Sequence, residues 1–267
     1  MNPTKLINSL IEDLEIYENS RVIKLKDNIA YTEKQKVKYH DVLVCTGFPF
    51  LKLKGLFFMK MYQKKSHVIE VFDDFKIKGN GVGVKDDDIY FRNYKDKVLL
   101  GCCDIKTGKD CGGYDKIYSL IVNKYNIKKI KRRWMNIDAM TLDGMPYIGP
   151  YTSYDEHIYV ATGFNMWGMT KSMLSAHILR DLILGRKNKF SKLFSPQRKM
   201  LFKPLLKNIG SAIKGMATFT TKRCKHLGCG LHYNSIDETY ECPCHGSKYD
   251  KDGNILETPT QKRIHIK

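Results

Sequence analysis

The stretch CKHLGCGLHYNSIDETYECPCHGSKY, residues 224–249, decides how this chain is read. It holds two ligand-type pairs. Cys224 and His226 form a C-x-H, Cys242 and His245 form a C-x-x-H, and fifteen residues lie between His226 and Cys242. Two thiolates and two imidazoles suit two kinds of metal centre. One is a tetrahedral structural zinc. The other is a two-iron, two-sulfur cluster with the cysteines on one iron and the histidines on the other. Cys229 follows the first pair and Cys244 sits inside the second. A zinc site needs four ligands and leaves these two cysteines unexplained.

CKHLGC followed by CPCHGSKYD is similar to the Rieske domains of cytochrome bc complexes, which carry C-x-H-x-G-C and C-P-C-H-G-S. The resemblance implies a [2Fe-2S] cluster held by Cys224, His226, Cys242 and His245, with a Cys229–Cys244 disulfide pinning the two ligand loops. It also implies that the hydroxyls of Ser247 and Tyr249 donate hydrogen bonds to cluster and cysteine sulfurs. Such donors favour the reduced cluster and raise its potential, toward the upper part of a range of roughly −150 to +300 mV. His232 and His265 fall outside the spacing and read as ordinary polar residues. The region is short for the family, because TTKRC enters the first ligand loop almost directly. Pro259 is a candidate for a third loop closing over the cluster. The expectation is a small all-β Rieske-type domain over residues 220–267.

Upstream lies SPQRKMLFKPLLKNIGSAIKGMATFTT, residues 195–221. Leu201, Phe202, Leu205, Leu206, Ile209 and Ile213 predict an amphipathic, basic helix broken near Pro204. Residues 199–219 are expected to be a helical linker packed on the preceding domain. Attachment to a membrane surface is the sharper reading.

A second informative stretch is RRWMNIDAMTLDGMPYIGPYTSYDEHIYVATGFNMWGMTKSMLSAHILRDLILG, residues 132–185. A strand over His157–Ala161 ends at Thr162-Gly163. The loop FNMWG follows, then a helix from about Met169 to Leu184. Strand, glycine loop and helix N-terminus make an anion-binding device, because backbone N–H groups and the helix dipole face what lies beyond the strand. DGMPYIGP and VATGFNMWGMTKSM resemble the C-terminal flavin-binding segment of glycine- and D-amino-acid-oxidase-like FAD oxidoreductases. The resemblance implies that Gly144, Pro146, Ile148 and Gly149 lie near the flavin and that Gly163, Asn165, Gly168, Met169 and Thr170 contact FAD. VCTG, ending at Gly47, resembles an earlier strand end of that family near the dinucleotide. Family members open with a strand, G-x-G-x-x-G and a helix. No such motif occurs here, and GNGVG at 79–83 lacks the flanking strand and helix. The resemblance covers residues 1–198 but only the family's middle and C-terminal parts. A fragment, a split-gene product relying on a separate nucleotide-binding chain, and a decayed enzyme all fit.

The rest of the chain predicts an α/β fold with an antiparallel substrate-domain sheet. A helix over Pro3–Tyr17 presents Leu6, Ile7, Leu10, Ile11 and Leu14 as a core face. Arg21–Lys26 and Ile29–Thr32 are strand-like, and Val42–Val44 reads as a buried strand. Ser66–Gly101 alternates apolar and polar positions, with turns at KGNG and KDDD. Asp115–Tyr125 reads as a helix with Ile117, Leu120 and Ile121 inward. Tyr62, His67 and Arg92 are candidates to lie near a substrate, and no motif identifies a catalytic base.

The 267 residues, 42% of them hydrophobic, allow one large or two modest domains. Net charge is +18, spread along the chain without the aromatic-interleaved basic motif of a nucleic-acid binder. An acidic redox partner or an anionic membrane surface suits that charge. No apolar run reaches the roughly 20 residues of a membrane span, and the N-terminus has no signal-peptide core. A cytoplasmic protein is expected, possible membrane association included. Of eight cysteines, Cys45, Cys102, Cys103 and Cys111 lie outside the motif, so the count does not indicate a secreted disulfide scaffold. Together the two resemblances imply oxidation of an amine or amino-acid-like substrate at FAD. The electrons would leave one at a time through the cluster to a protein or quinone-type acceptor.

Overall fold

The computed structural model describes residues 2–72, 79–83, 89–109, 112–125, 130–235 and 237–266. In chain order, helix α1 (Pro3–Leu10) precedes strands β1 (Val22–Lys26), β2 (Ile29–Thr32), β3 (Lys36–Lys38) and β4 (Val42–Val44). Then come α2 (Phe57–Lys60), β5 (Met61–Phe72), β6 (Asn80–Gly81), β7 (Tyr90–Tyr94), β8 (Lys97–Lys106), α3 (Gly113–Tyr125) and β9 (Ile130–Thr141). β10 (Tyr147–Pro150), β11 (Ile158–Thr162), α4 (Gly168–Ile183) and α5 (Phe202–Ala217) follow. The chain closes with β12 (His232–Asn234), β13 (Thr239–Glu241), β14 (Lys248–Tyr249) and β15 (Ile255–Glu257).

These elements gather into two compact units that do not follow chain order. One comprises residues 1–57 and 145–199, the other 58–144 and 200–267. The stretch 1–198 is therefore divided between them, and 200–219 belongs with the cysteine-rich end.

The first unit holds the hairpin sheet β1-β2-β3 and a three-stranded sheet in the order β10-β11-β4. β11 runs parallel to β4, with Val160 opposite Val44, and antiparallel to β10. α4 lies on this sheet. Its Ile178 and Leu179 join Ile148, Tyr159 and Ala161 in one buried cluster. Two expectations fail here. α1 buries none of its residues, and Ile7 and Leu10 are 50% and 59% exposed. β4 is only partly covered: Val44 is buried, Leu43 exposed.

The second unit is built on a five-stranded sheet in the order β6-β7-β8-β5-β9. The alternation expected over 66–101 corresponds to antiparallel β5, β7 and β8. β9, which was not anticipated as a strand, pairs along β5 from Met61–Thr141 onward. Lys78 of the KGNG turn, all of KDDD, Cys111, and the side chains of Cys103, Leu120 and Ile121 lie outside the described residues.

β5 is central and carries two coverings on one face. Successive side chains in a strand alternate faces, so Gln63, Lys65, His67, Ile69 and Val71 share a side. Ile69 and Val71 pack with Tyr114 and Ile117 of α3 in a core that includes Val98, Leu100 and Cys102. Gln63 and Lys65 lie instead under the C-terminal segment. The Lys65 ammonium meets the Glu241 carboxylate at 2.9 Å, both side chains almost fully buried. Glu241 also accepts from Gly108 N at 3.3 Å and Asn234 Nδ2 at 2.8 Å. Gly108 has φ +76°, and a Cβ there would overlap Pro243, so the contact requires glycine.

α5 is continuous through Pro204. Proline is tolerated because position 204 falls in the first turn, where N–H groups have no intrahelical partner. The expected break is therefore absent. Asn208 on α5 donates to the carbonyls of Met59 at 2.9 Å and Met61 at 3.2 Å. Among the described residues, no helix is long and apolar enough to cross a membrane.

Candidate metal centre and cofactor-facing strand ends

The four-stranded sheet β12-β13-β14-β15 supports two ligand loops of one shape. In the first, Cys224 N donates to Cys229 O at 2.9 Å and Gly228 N to Cys224 O at 2.9 Å. In the second, Cys242 N donates to Ser247 O and Gly246 N to Cys242 O, again at 2.9 Å. Each loop therefore turns its leading cysteine and its histidine inward. Cys224, His226, Cys242 and His245 are 2%, 4%, 1% and 1% exposed. The two imidazoles meet edge to face with ring centroids 5.1 Å apart. Cys229 and Cys244 form a disulfide across the loops.

Hydroxyls converge on one sulfur. Tyr249 Oη lies 3.6 Å from Cys224 Sγ and 2.8 Å from Thr260 Oγ1, and it accepts from Lys225 N at 3.0 Å. The Cys242 thiol, the Ser247 hydroxyl, the His226 N–H and the Tyr249 hydroxyl bring the Cys224 thiol down to about 6. Burial brings His245 down to about 4, which keeps its imidazole neutral and able to act as a ligand. Thr260, fully buried, donates its N–H to Ser247 Oγ at 3.2 Å. The segment after Pro259 thus closes the pocket. Sequence reading named Pro259 and missed Thr260, which carries no motif signal.

This donor set fits a [2Fe-2S] cluster. Two soft thiols and two imidazoles, that of His245 held neutral, converge in a dry pocket, one thiol is acidified, and hydroxyls lie against its sulfur. The disulfide accounts for the two cysteines that a zinc site leaves over.

In the other unit, parallel β4 and β11 end side by side, and Thr162 Oγ1 donates to Gly47 O. Gly47 and Gly163 turn the chain there, Asn165 Nδ2 donates to Gly163 O, and α4 begins at Gly168. The residue before the helix, Trp167, makes no side-chain capping hydrogen bond. Met169 is exposed, and the Thr170 hydroxyl donates to Trp167 O at 3.2 Å. Gly47, Gly163, Asn165, Gly168, Met169 and Thr170 thus gather at one strand end. Backbone N–H groups and a helix dipole suit the electron-rich edge of a flavin. Ile148 and Gly149 are different. Ile148 is fully buried in the core, and Gly149 packs against Pro196. Gly144 closes a segment of the second unit.

Of the substrate-side candidates, His67 is fully buried, its ring 4.8 Å from Tyr114 and its Nε2 3.5 Å from Asp237. Tyr62 lies under the Lys106 ammonium, 5.9 Å away, and Arg92 sits on β7 opposite Leu99.

Residues 1–182 match the FAD dependent oxidoreductase family DAO. The chain belongs to that family. Residues 196–266 of this DAO member match the Rieske [2Fe-2S] domain, so the two parts imply FAD and a [2Fe-2S] cluster. The chain is 26% identical to the Rieske 2Fe-2S iron-sulfur protein YhfW of Bacillus subtilis, over 98% of this chain and 63% of that one. Its cysteine-rich end is 47% identical over 43 residues to cytochrome b6-f complex iron-sulfur subunit 3 of Nostoc, covering 16% of this chain and 24% of that one. The fold resembles glycine oxidase from Geobacillus kaustophilus, with TM-score 0.59 and 17% identity over 69% of this chain and 54% of that one. It also resembles iminodiacetate oxidase from Chelativorans, with TM-score 0.58 and 12% identity over 72% and 57%. The chain thus spans somewhat over half the length of its full-length relative and of these oxidases.

Proposed function

We propose that this chain works in a flavin- and Rieske-dependent oxidoreductase acting on an amine or amino-acid-like substrate. Bound FAD would accept a hydride from the carbon next to the amine nitrogen, the nitrogen losing a proton as the imine forms, and a bound [2Fe-2S] cluster would supply one-electron relay. Cys224, His226, Cys242 and His245 would hold the iron, Cys229–Cys244 would clamp the loops, and Ser247 and Tyr249 would tune the Cys224 sulfur. The α4 N-terminus, with Gly47, Gly163, Asn165, Gly168, Met169 and Thr170, would receive the flavin through backbone N–H groups. Ile148 and Gly149 remain part of the proposed lining, Ile148 acting through the core beneath it, and Gly144 stays a proposed FAD contact on the sequence resemblance alone.

One observation carries the reading. The second ligand loop is seated on the sheet, with Thr107 Oγ1 donating to Cys242 O at 3.5 Å and Lys65 neutralising Glu241 next to that ligand. A relay centre seated on the catalytic fold, not tethered beyond it, suits electron passage inside one molecule. The electron leaves to an acceptor protein or a quinone-type molecule, and the setting is the cytoplasm.

The test is anaerobic purification of the full chain, with a visible spectrum and EPR before and after adding amino acids. Flavin bands together with substrate-driven reduction of a Rieske-type EPR signal support the proposal. A cluster signal without flavin makes the chain an electron-transfer module. Zinc in place of iron refutes both.

A further inference from the structure

One face of α5 has no role in the cluster pocket. The helix presses Asn208, Ala212 and Gly215 inward: Asn208 holds the 59–61 carbonyls, and a Cβ on Gly215 would overlap Cys244 Sγ. Turning at about 100° per residue, Phe202, Leu206, Ile209, Ile213 and Met216 fall within an arc of about 80°. Four of these point into solvent, with Phe202 70%, Leu206 52%, Ile213 61% and Met216 40% exposed. Phe219, just past the helix end, is fully exposed at 104%. Lys203, Lys207 and Lys214 form a second row, about 100–140° around the helix from Phe202. The helix sequence FKPLLKNIGSAIKGMA holds no acidic residue.

We propose that α5 seats this protein on an anionic lipid surface, lying in the plane of the headgroups. Separated aromatic and aliphatic side chains enter the acyl boundary, and lysine ammoniums reach the phosphates by snorkelling along their stems. Charge decides the occupant. Three lysines and no carboxylate, on a chain of net charge +18, repel a second copy and attract anionic headgroups. The inward face of the same helix covers the Cys229–Cys244 bridge, so the seat brings the iron–sulfur pocket to the lipid surface.

The experiment mixes the cluster-loaded full chain with vesicles of phosphatidylcholine, alone or with phosphatidylglycerol, and sediments them. The chain pellets with the anionic vesicles and not with the neutral ones, and added salt releases it. The variant L206S/I213S stays in the supernatant while its cluster EPR signal is unchanged. K203E/K207E/K214E lowers partitioning on the order of 100-fold, at about 1 kcal/mol per basic residue near a charged surface. A second variant, F202W, shows a blue-shifted indole emission quenched by lipids with brominated chains. The proposal is overturned if the wild-type chain ignores anionic vesicles, or if the indole introduced by F202W shows no quenching. It is equally overturned if L206S/I213S only turns a dimer into a monomer, which assigns the stripe to a second copy.

Discussion

The proposed iron–sulfur pocket and the α4 strand end proposed for the flavin would hold a cofactor in opposite ways. The pocket is closed and made of side chains, with the four proposed ligands buried on two loops within residues 224–245. The strand end is open and made of backbone, with Gly47, Gly163 and Gly168 from segments far apart in the chain. A ligand set that bonds covalently to metal must be specific in atom type. A device that offers N–H groups to a delocalised ring needs only the right turns. The pocket therefore fails when one atom changes, whereas the strand end tolerates substitution that preserves its turns.

The largest break in this comparison is chemical. Cys224→Ser or His245→Ala should abolish the bound cluster, read as loss of iron and of the reduced-state EPR signal. The far-ultraviolet dichroism of the first unit should survive. Next comes the seat beneath the pocket. Lys65→Met leaves the Glu241 carboxylate buried without its cation, which should cost about 3–5 kcal/mol in chemical denaturation. Lys65→Met combined with Glu241→Leu should recover most of that loss, because neither charge is then stranded. The smallest effect concerns Asp237. Burial alone pushes its carboxyl up, but the His67 contact and the nearby Lys248 and Lys65 leave it below the ordinary 3.8. A depressed native value gives stability that is present above the unfolded value and is lost as pH falls through the native one. Asp237→Asn should therefore lower the melting temperature at neutral pH, with the gap to wild type closing below about pH 4.

The chain disclosed its two parts unevenly. Cys224, His226, Cys242 and His245 stood out because few spacings combine thiols and imidazoles so tightly. The strand–loop–helix at 157–184 was legible because apolar runs and glycines mark its ends. The split into two units was not legible, since it depends on β9 returning along β5. A signal existed in MYQKKSHVIEVF. Gln63, Lys65 and His67 share the strand face of Ile69 and Val71, and a face that changes from polar to apolar announces two different neighbours. α1 misled for a related reason. Its apolar stripe is periodic, but nothing among the described residues buries it, and periodicity reports a face without naming a partner. Pro204 misled because its effect depends on its distance from the helix start.

The Cys229–Cys244 bridge lies under the backbone of α5, with both cysteines about 1% exposed. Exchange with a free thiol requires a thiolate to reach a sulfur directly. Here a helix stands in the way, so the rate of reduction is scaled down by the fraction of time the helix is open. The bridge is protected by occlusion, and its lifetime among reducing thiols is a clock set by α5.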